Sequence, residues 1–115
     1  MRIGVDIDQT ITIKKGPDYI KDSLANKEMI ALLNKLHDQG HEIILYTARK
    51  AGSTGHNFGK ALAIAGEKTF KWLRKNKVKF DELHWNKPNL DIMVDDKSLG
   101  YNEELVKAYL FGLIK

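Results

Sequence analysis

The sequence predicts an α/β fold in which a parallel sheet is covered by helices on both faces. Short apolar runs alternate with amphipathic stretches along the chain, which is the order such sheets require. The apolar runs stop at polar, reactive side chains, the pattern expected where strand ends build a site. A length of 115 residues without repeats, low-complexity tracts or linker-like stretches suits one domain spanning 1–115.

Ile3-Gly4-Val5 reads as a buried strand that ends at Asp6 and Asp8. Thr10 to Ile13 alternate before Lys14-Lys15-Gly16-Pro17 breaks the chain, which predicts a β-hairpin or flap. Asn26 caps a helix from Lys27 to Gln39, with Met29, Ile30, Leu33, Leu36 and His37 on one face and Gly40 past its end. His41 to Thr47 is a second strand, and Ala51 to Gly59, with three glycines, a loop. A helix from about Leu62 to Asn76 turns Phe70 and Leu73 inward. Glu82–Trp85 and Asp91–Val94 are two further short strands. A final amphipathic helix, Glu103 to Ile114, carries Leu105, Val106, Tyr109, Leu110 and Leu113 on one face. Right-handed crossovers connect the strands by default.

Composition excludes several function classes. With no cysteine, disulfides, thiolate metal sites and Cys nucleophiles are ruled out. No apolar run approaches the ~20 residues of a membrane span, and the first acid follows too soon for a signal-peptide core. A cytoplasmic protein without a membrane partner is the expectation. The net charge of +4 suits an anionic partner. No basic-aromatic motif marks nucleic acid as that partner.

The chemistry lies at the strand ends. The first strand runs into Asp6-Ile7-Asp8-Gln9-Thr10, the second stops at Thr47-Ala48-Arg49, Lys87 follows the third, and the fourth ends in Asp95-Asp96-Lys97-Ser98. Carboxylates gathered at one edge repel unless a cation compensates. Mg²⁺, which takes oxygen ligands and keeps vacant positions for a phosphate oxygen, is the natural one. Asp6 is then placed to act as a nucleophile on phosphorus. Asp8, two residues on, is placed to protonate the leaving oxygen and activate water. Thr47, Lys87 and backbone N–H groups of the first turn, that of Ile7 among them, would hold the phosphoryl oxygens. Asp6, Asp8, Asp95 and Asp96 would form the metal site. Each element alone has an ordinary structural reading as a cap, a turn or a solvated side chain. Their conjunction points to phosphoryl chemistry.

Asp6-Ile7-Asp8-Gln9-Thr10, Thr47, Lys87 and Asp95-Asp96 resemble motifs one to four of the haloacid dehalogenase superfamily of phosphatases. That resemblance implies a three-layer, Rossmann-like fold with strand order 3-2-1-4, Asp6 as nucleophile, Asp8 as general acid/base, and Mg²⁺ held also by the Asp8 carbonyl. A narrower likeness is carried by Leu45-Tyr46-Thr47-Ala48-Arg49, by Gly55 to Lys60, and by Asn86-Lys87-Pro88 with Val94 to Ser98. These stretches are similar to the small bacterial phosphatases of capsular polysaccharide biosynthesis, which implies a sugar phosphate or related precursor as substrate. Gln9 departs from the glycine usual in motif one, a position whose backbone angles favour glycine. No stretch is long enough for a cap domain, so an open site is expected.

Arg49, Asn57 and Lys60 are candidate substrate-binding residues, Arg49 being equally able to pair with an aspartate of the cluster. Lys14 and Lys15 in the flap are candidate contacts for an acidic substrate, or solvated. Tyr101, Tyr109 and Phe111 are placed to support a homo-oligomer. The alternatives are a phosphatase acting on nucleic-acid ends or phosphoproteins, and a non-catalytic phosphate-binding module. A response-regulator receiver is disfavoured, because here the threonine follows the second strand and the acid pair comes last.

Overall fold

Apolar runs flanked by charge become the strands of a parallel sheet. The computed structural model describes residues 1–14, 20–87, 90–92, 94–100 and 102–115. In chain order its elements are β1 (Arg2–Asp6), β2 (Thr12–Lys14), β3 (Leu24–Ala25), α1 (Lys27–Asp38), β4 (Glu42–Tyr46), α2 (Phe58–Lys75), β5 (Glu82–His84) and α3 (Glu103–Gly112). Among the described residues the main sheet has the order β1-β4-β5. Both pairings are parallel, with Asp6 opposite Tyr46 and Tyr46 opposite His84. This register aligns the carboxyl ends of the three strands, so the residues that follow them converge.

The three strands match the 3-2-1 portion of the expected order, and the fourth does not. Ile92 and Val94 are 80% and 95% exposed and belong to no strand, while Met93 lies outside the described residues. So short an apolar run, bracketed by Asp91 and by Asp95-Asp96, offers a strand little surface to bury.

The first turn is wound tightly onto one acceptor. The N–H groups of Thr10, Ile11 and Thr12 all point at the carbonyl of Ile7. The chain therefore becomes extended only at Thr12, two residues later than the alternation suggested. β2 and β3 then form the expected antiparallel ribbon. Lys15, Gly16 and Pro17 lie outside the described residues.

α1 forms where its signals placed it. The Asn26 side chain accepts from Met29 N–H, Glu28 lies in the first turn and Lys35 and His37 in the last. Both charge placements favour the helix dipole. Beyond its end Gly40 adopts φ of +94°, a conformation that costs glycine little. Met29, Ile30, Leu33 and Leu36 are buried, in a core shared with Val5, Ile7, Ile43, Leu45, Trp72, Leu73 and Leu110.

α2 starts at Phe58, four residues before the sequence suggested, because Asn57 caps it through Lys60 N–H. Leu73 is buried as expected. Phe70 is 41% exposed, aligned with Leu62 across Gly66 on the outer side. In α3 only Leu110 is fully buried; Leu105 and Tyr109, expected inward, are exposed. Tyr109 lines the groove beside β1 with Val106 and Leu110. Tyr101 lies outside the described residues, and Phe111 is exposed.

Asn26 ties three parts together. Its amide accepts from Met29 N–H at 3.1 Å and donates to Glu103 at 2.6 Å and to the Thr10 carbonyl at 3.3 Å. Asn26→Ala removes a helix cap and leaves the buried Met29 N–H unpaired, so it should cost about 2 kcal/mol, read by urea denaturation.

Candidate active site

The carboxyl end of β1 carries Asp6, whose side chain is 29% exposed. Lys87, at the end of the segment following β5, places its ammonium 3.2 Å from Asp6 Oδ2 and 5.4 Å from the centre of the Tyr46 ring. Burial pushes the Asp6 carboxyl above its ordinary value. Lys87 and the Ile7 N–H oppose that shift, and Asp8 adds to it by repulsion.

Asp8 is held from the next strand. After β4, Arg49 donates from Nε to Asp8 Oδ2 at 3.0 Å and from Nη2 to Oδ1 at 2.9 Å. Its Nη1 donates to Thr69 Oγ1 of α2 at 2.9 Å. The Arg49 side chain is wholly buried. Of the two readings of Arg49, substrate contact and pairing with an aspartate, the structure presents the pairing. Thr47 is fully buried between them: its N–H extends the ladder to His84 O at 2.9 Å, and its hydroxyl accepts from Arg49 N–H at 3.0 Å. The hydroxyl proton is then free to be donated elsewhere.

Asp6, Ile7, Asp8, Thr47, Arg49 and Lys87 are thus brought together at three neighbouring strand ends. Asp95 lines a cleft of about 440 Å³ with Asp6, Thr10 and Tyr46, while Asp96 is exposed and does not line it. Asn57 uses its side-chain oxygen to cap α2 through Lys60 N–H, and Lys60 is exposed. Two contributors were not singled out from the sequence, Thr69 and the Tyr46 ring. Tyr46, next to Thr47 at a strand end, carried a positional signal; a mid-helix threonine carried none.

Among the described residues no three His, Asp or Glu side chains converge as a metal cage. Mg²⁺ requires no cage, since it usually keeps several waters and takes one or two carboxylates. Asp6 and Asp95 on one cleft, with Asp6 destabilised as an anion, fit such an ion in donor type and charge.

Gln9 adopts φ of +64°, the left-handed region, immediately after Asp8. Its N–H donates to Thr12 Oγ1 at 2.9 Å, which helps fix the turn.

No family model matches this chain, and no curated protein is significantly similar to it. Among solved structures it is similar to a structural-genomics target from Vibrio cholerae. The two are 28% identical with a TM-score of 0.80, over 99% of this chain and 98% of that one. It is also similar to a chain of the Pnkp1/Rnl/Hen1 complex, 20% identical with a TM-score of 0.56. That match covers 97% of this chain but 34% of the other, and it shows the fold alone.

Two outcomes follow from this geometry. Gln9→Gly should stabilise the protein by up to about 1 kcal/mol, seen as a higher Tm, because a β-carbon at positive φ is strained and the Gln9 side chain is exposed. Asp6 has a raised native value, so the native state holds its proton more tightly than the unfolded chain does. Wild-type stability relative to Asp6→Asn should therefore fall as pH rises through 3.8 toward the raised value, then level off. Urea denaturation of both proteins from about pH 3 to 7 in chelator reads this, and a pH-independent difference would contradict it.

Proposed function

We propose that this chain is a capless phosphomonoester hydrolase of the haloacid dehalogenase type, with the three-layer arrangement of that superfamily and the 3-2-1 part of its strand order. The observation that carries the reading is the pairing of Asp6 with Lys87 at 3.2 Å, beside an Asp8 fixed by Arg49. A nucleophilic carboxylate facing a lysine ammonium offers a phosphate both its attacking oxygen and a countercharge.

Asp6 attacks phosphorus in line with the ester oxygen; the P–O bond to the leaving group breaks and its electron pair passes to that oxygen. Asp8 donates a proton there, releasing a neutral alcohol. Water then attacks the aspartyl-phosphate and gives its proton to Asp8, and the bond between phosphorus and Asp6 breaks to release inorganic phosphate. Lys87, the Thr47 hydroxyl and the Ile7 N–H neutralise charge on the phosphoryl oxygens as it develops. Asp6, Asp95 and the Asp8 carbonyl would hold Mg²⁺, with Asp96 as their neighbour. That ion supplies Lewis-acid charge stabilisation when bound.

The substrate class we favour is a sugar phosphate or related cell-surface polysaccharide precursor, acted on in the cytoplasm. The likeness of the Thr47-Ala48-Arg49 and Asp95-Asp96-Lys97 stretches to capsule phosphatases supports it, as does the surplus of basic residues. Among the described residues the chain from Thr10 to Asn26 adds only a ribbon, and that from Thr47 to Lys87 only α2 and β5. Neither amounts to a cap among the described residues, and no described helix is long and apolar enough to cross a membrane.

Hydrolysis of an aryl phosphate and a panel of sugar phosphates tests the reading. Turnover should require Mg²⁺, disappear with chelator and fall by at least about a thousandfold in Asp6→Asn. Phosphate binding without turnover in wild type would instead identify a binding module.

A further inference from the structure

Each of the three nitrogens of the Arg49 guanidinium donates a hydrogen bond. Nε and Nη2 meet the two oxygens of Asp8, and Nη1 meets the hydroxyl of Thr69, twenty residues further along the chain. A buried cation without its partner is costly, so this arrangement specifies where Asp8 must stand. The fork takes one lone pair of each carboxylate oxygen, and each oxygen keeps a second, turned away from Arg49. A proton carried by Asp8 has to sit on one of those outward positions. The Asp8 side chain is 26% exposed, whereas that of Arg49 is 0%. Arg49 therefore reaches a substrate only through Asp8, and Thr69 reaches Asp8 only through Arg49.

We propose that Arg49 and Thr69 are positioning residues that aim the Asp8 proton at the leaving oxygen, and that they thereby favour esters of poorly acidic alcohols. This inference rests on the phosphatase reading above. When the P–O bond breaks, an alkyl or sugar oxygen takes the electron pair and needs the Asp8 proton to leave. A 4-nitrophenyl oxygen takes the same pair and leaves as the phenolate, with no proton transferred. Misaiming Asp8 slows the first reaction and largely spares the second. The comparison belongs in kcat/KM, which covers the steps through formation of the aspartyl-phosphate. The later water attack, for which both esters need Asp8, is excluded from it.

The experiment measures kcat/KM on glycerol or sugar phosphates and on 4-nitrophenyl phosphate, for wild type, Thr69→Val, Thr69→Ser and Arg49→Lys. Far-UV circular dichroism and urea denaturation confirm that each variant is folded. General acid catalysis is worth about 10²–10⁴ in rate. Thr69→Val should therefore shift the ratio of the two values against the alkyl ester about tenfold, and Arg49→Lys about a hundredfold. Thr69→Ser, which keeps the hydroxyl, should retain the wild-type ratio. Equal losses on both esters, or no loss on either, would overturn the inference while an active wild type leaves the phosphatase reading standing. Should Arg49→Lys fail to fold, the contrast between Thr69→Val and Thr69→Ser decides alone. A wild type inert toward both esters would overturn the reading and the inference together.

Discussion

Two carboxylates placed two residues apart beyond a strand cannot be kept half out of water unless cations are brought to them. Everything around Asp6 and Asp8 answers that constraint. The parallel register aligns the carboxyl ends of β1, β4 and β5, so a cation carried just past each neighbouring strand arrives at the acids without a long reach. Lys87 comes to Asp6 from beyond β5, and Arg49 comes to Asp8 from beyond β4. The two pairs differ in kind. Lys87 is a point charge, 23% exposed, that only partly offsets the rise burial imposes on Asp6. Arg49 is a planar fork, fully enclosed and braced by α2. One acid keeps a raised value beside a single ammonium, and the other is held in place.

Much of this was legible in the sequence, for physical reasons that can be named. α1 was legible because cap, periodicity and terminal glycine agree, and local agreement is what single-sequence reasoning detects. The first two strand ends were legible because apolar runs that stop at Asp6 and Thr47 have few other uses for such abrupt changes in polarity. The start of α2 was obscured by Gly55 and Gly59, whose presence suggests a loop, although the capping bond of Asn57 is itself local. Phe70 was misplaced because burial in a long helix depends on which side meets the sheet, and periodicity alone does not fix that. Its neighbour Thr69 takes the inward position instead.

The least legible features are those that depend on distant partners. Nothing adjacent to Thr69 announces that its hydroxyl meets a guanidinium from the end of β4. The choice between an Arg49 that meets substrate and one that meets an aspartate was open in the sequence for the same reason. The strand expected at Asp91–Val94 illustrates the converse. Its local pattern is that of a strand, yet among the described residues Ile92 and Val94 are exposed and belong to none.

The strand register also bears on how the chain reaches this state. Arg2 pairs with Glu42, and the next pairing joins Ile44 to Glu82, so each step in assembling the sheet closes a loop of nearly forty residues. Helices α1 and α2 can form from near neighbours, whereas closing such loops costs entropy before any contact compensates, and topologies of this kind fold slowly. Asp6 and Asp8 are neighbours in the chain at every stage, whereas Arg49 and Lys87 reach them only with β4 and β5, so closing these loops also delivers the countercharge.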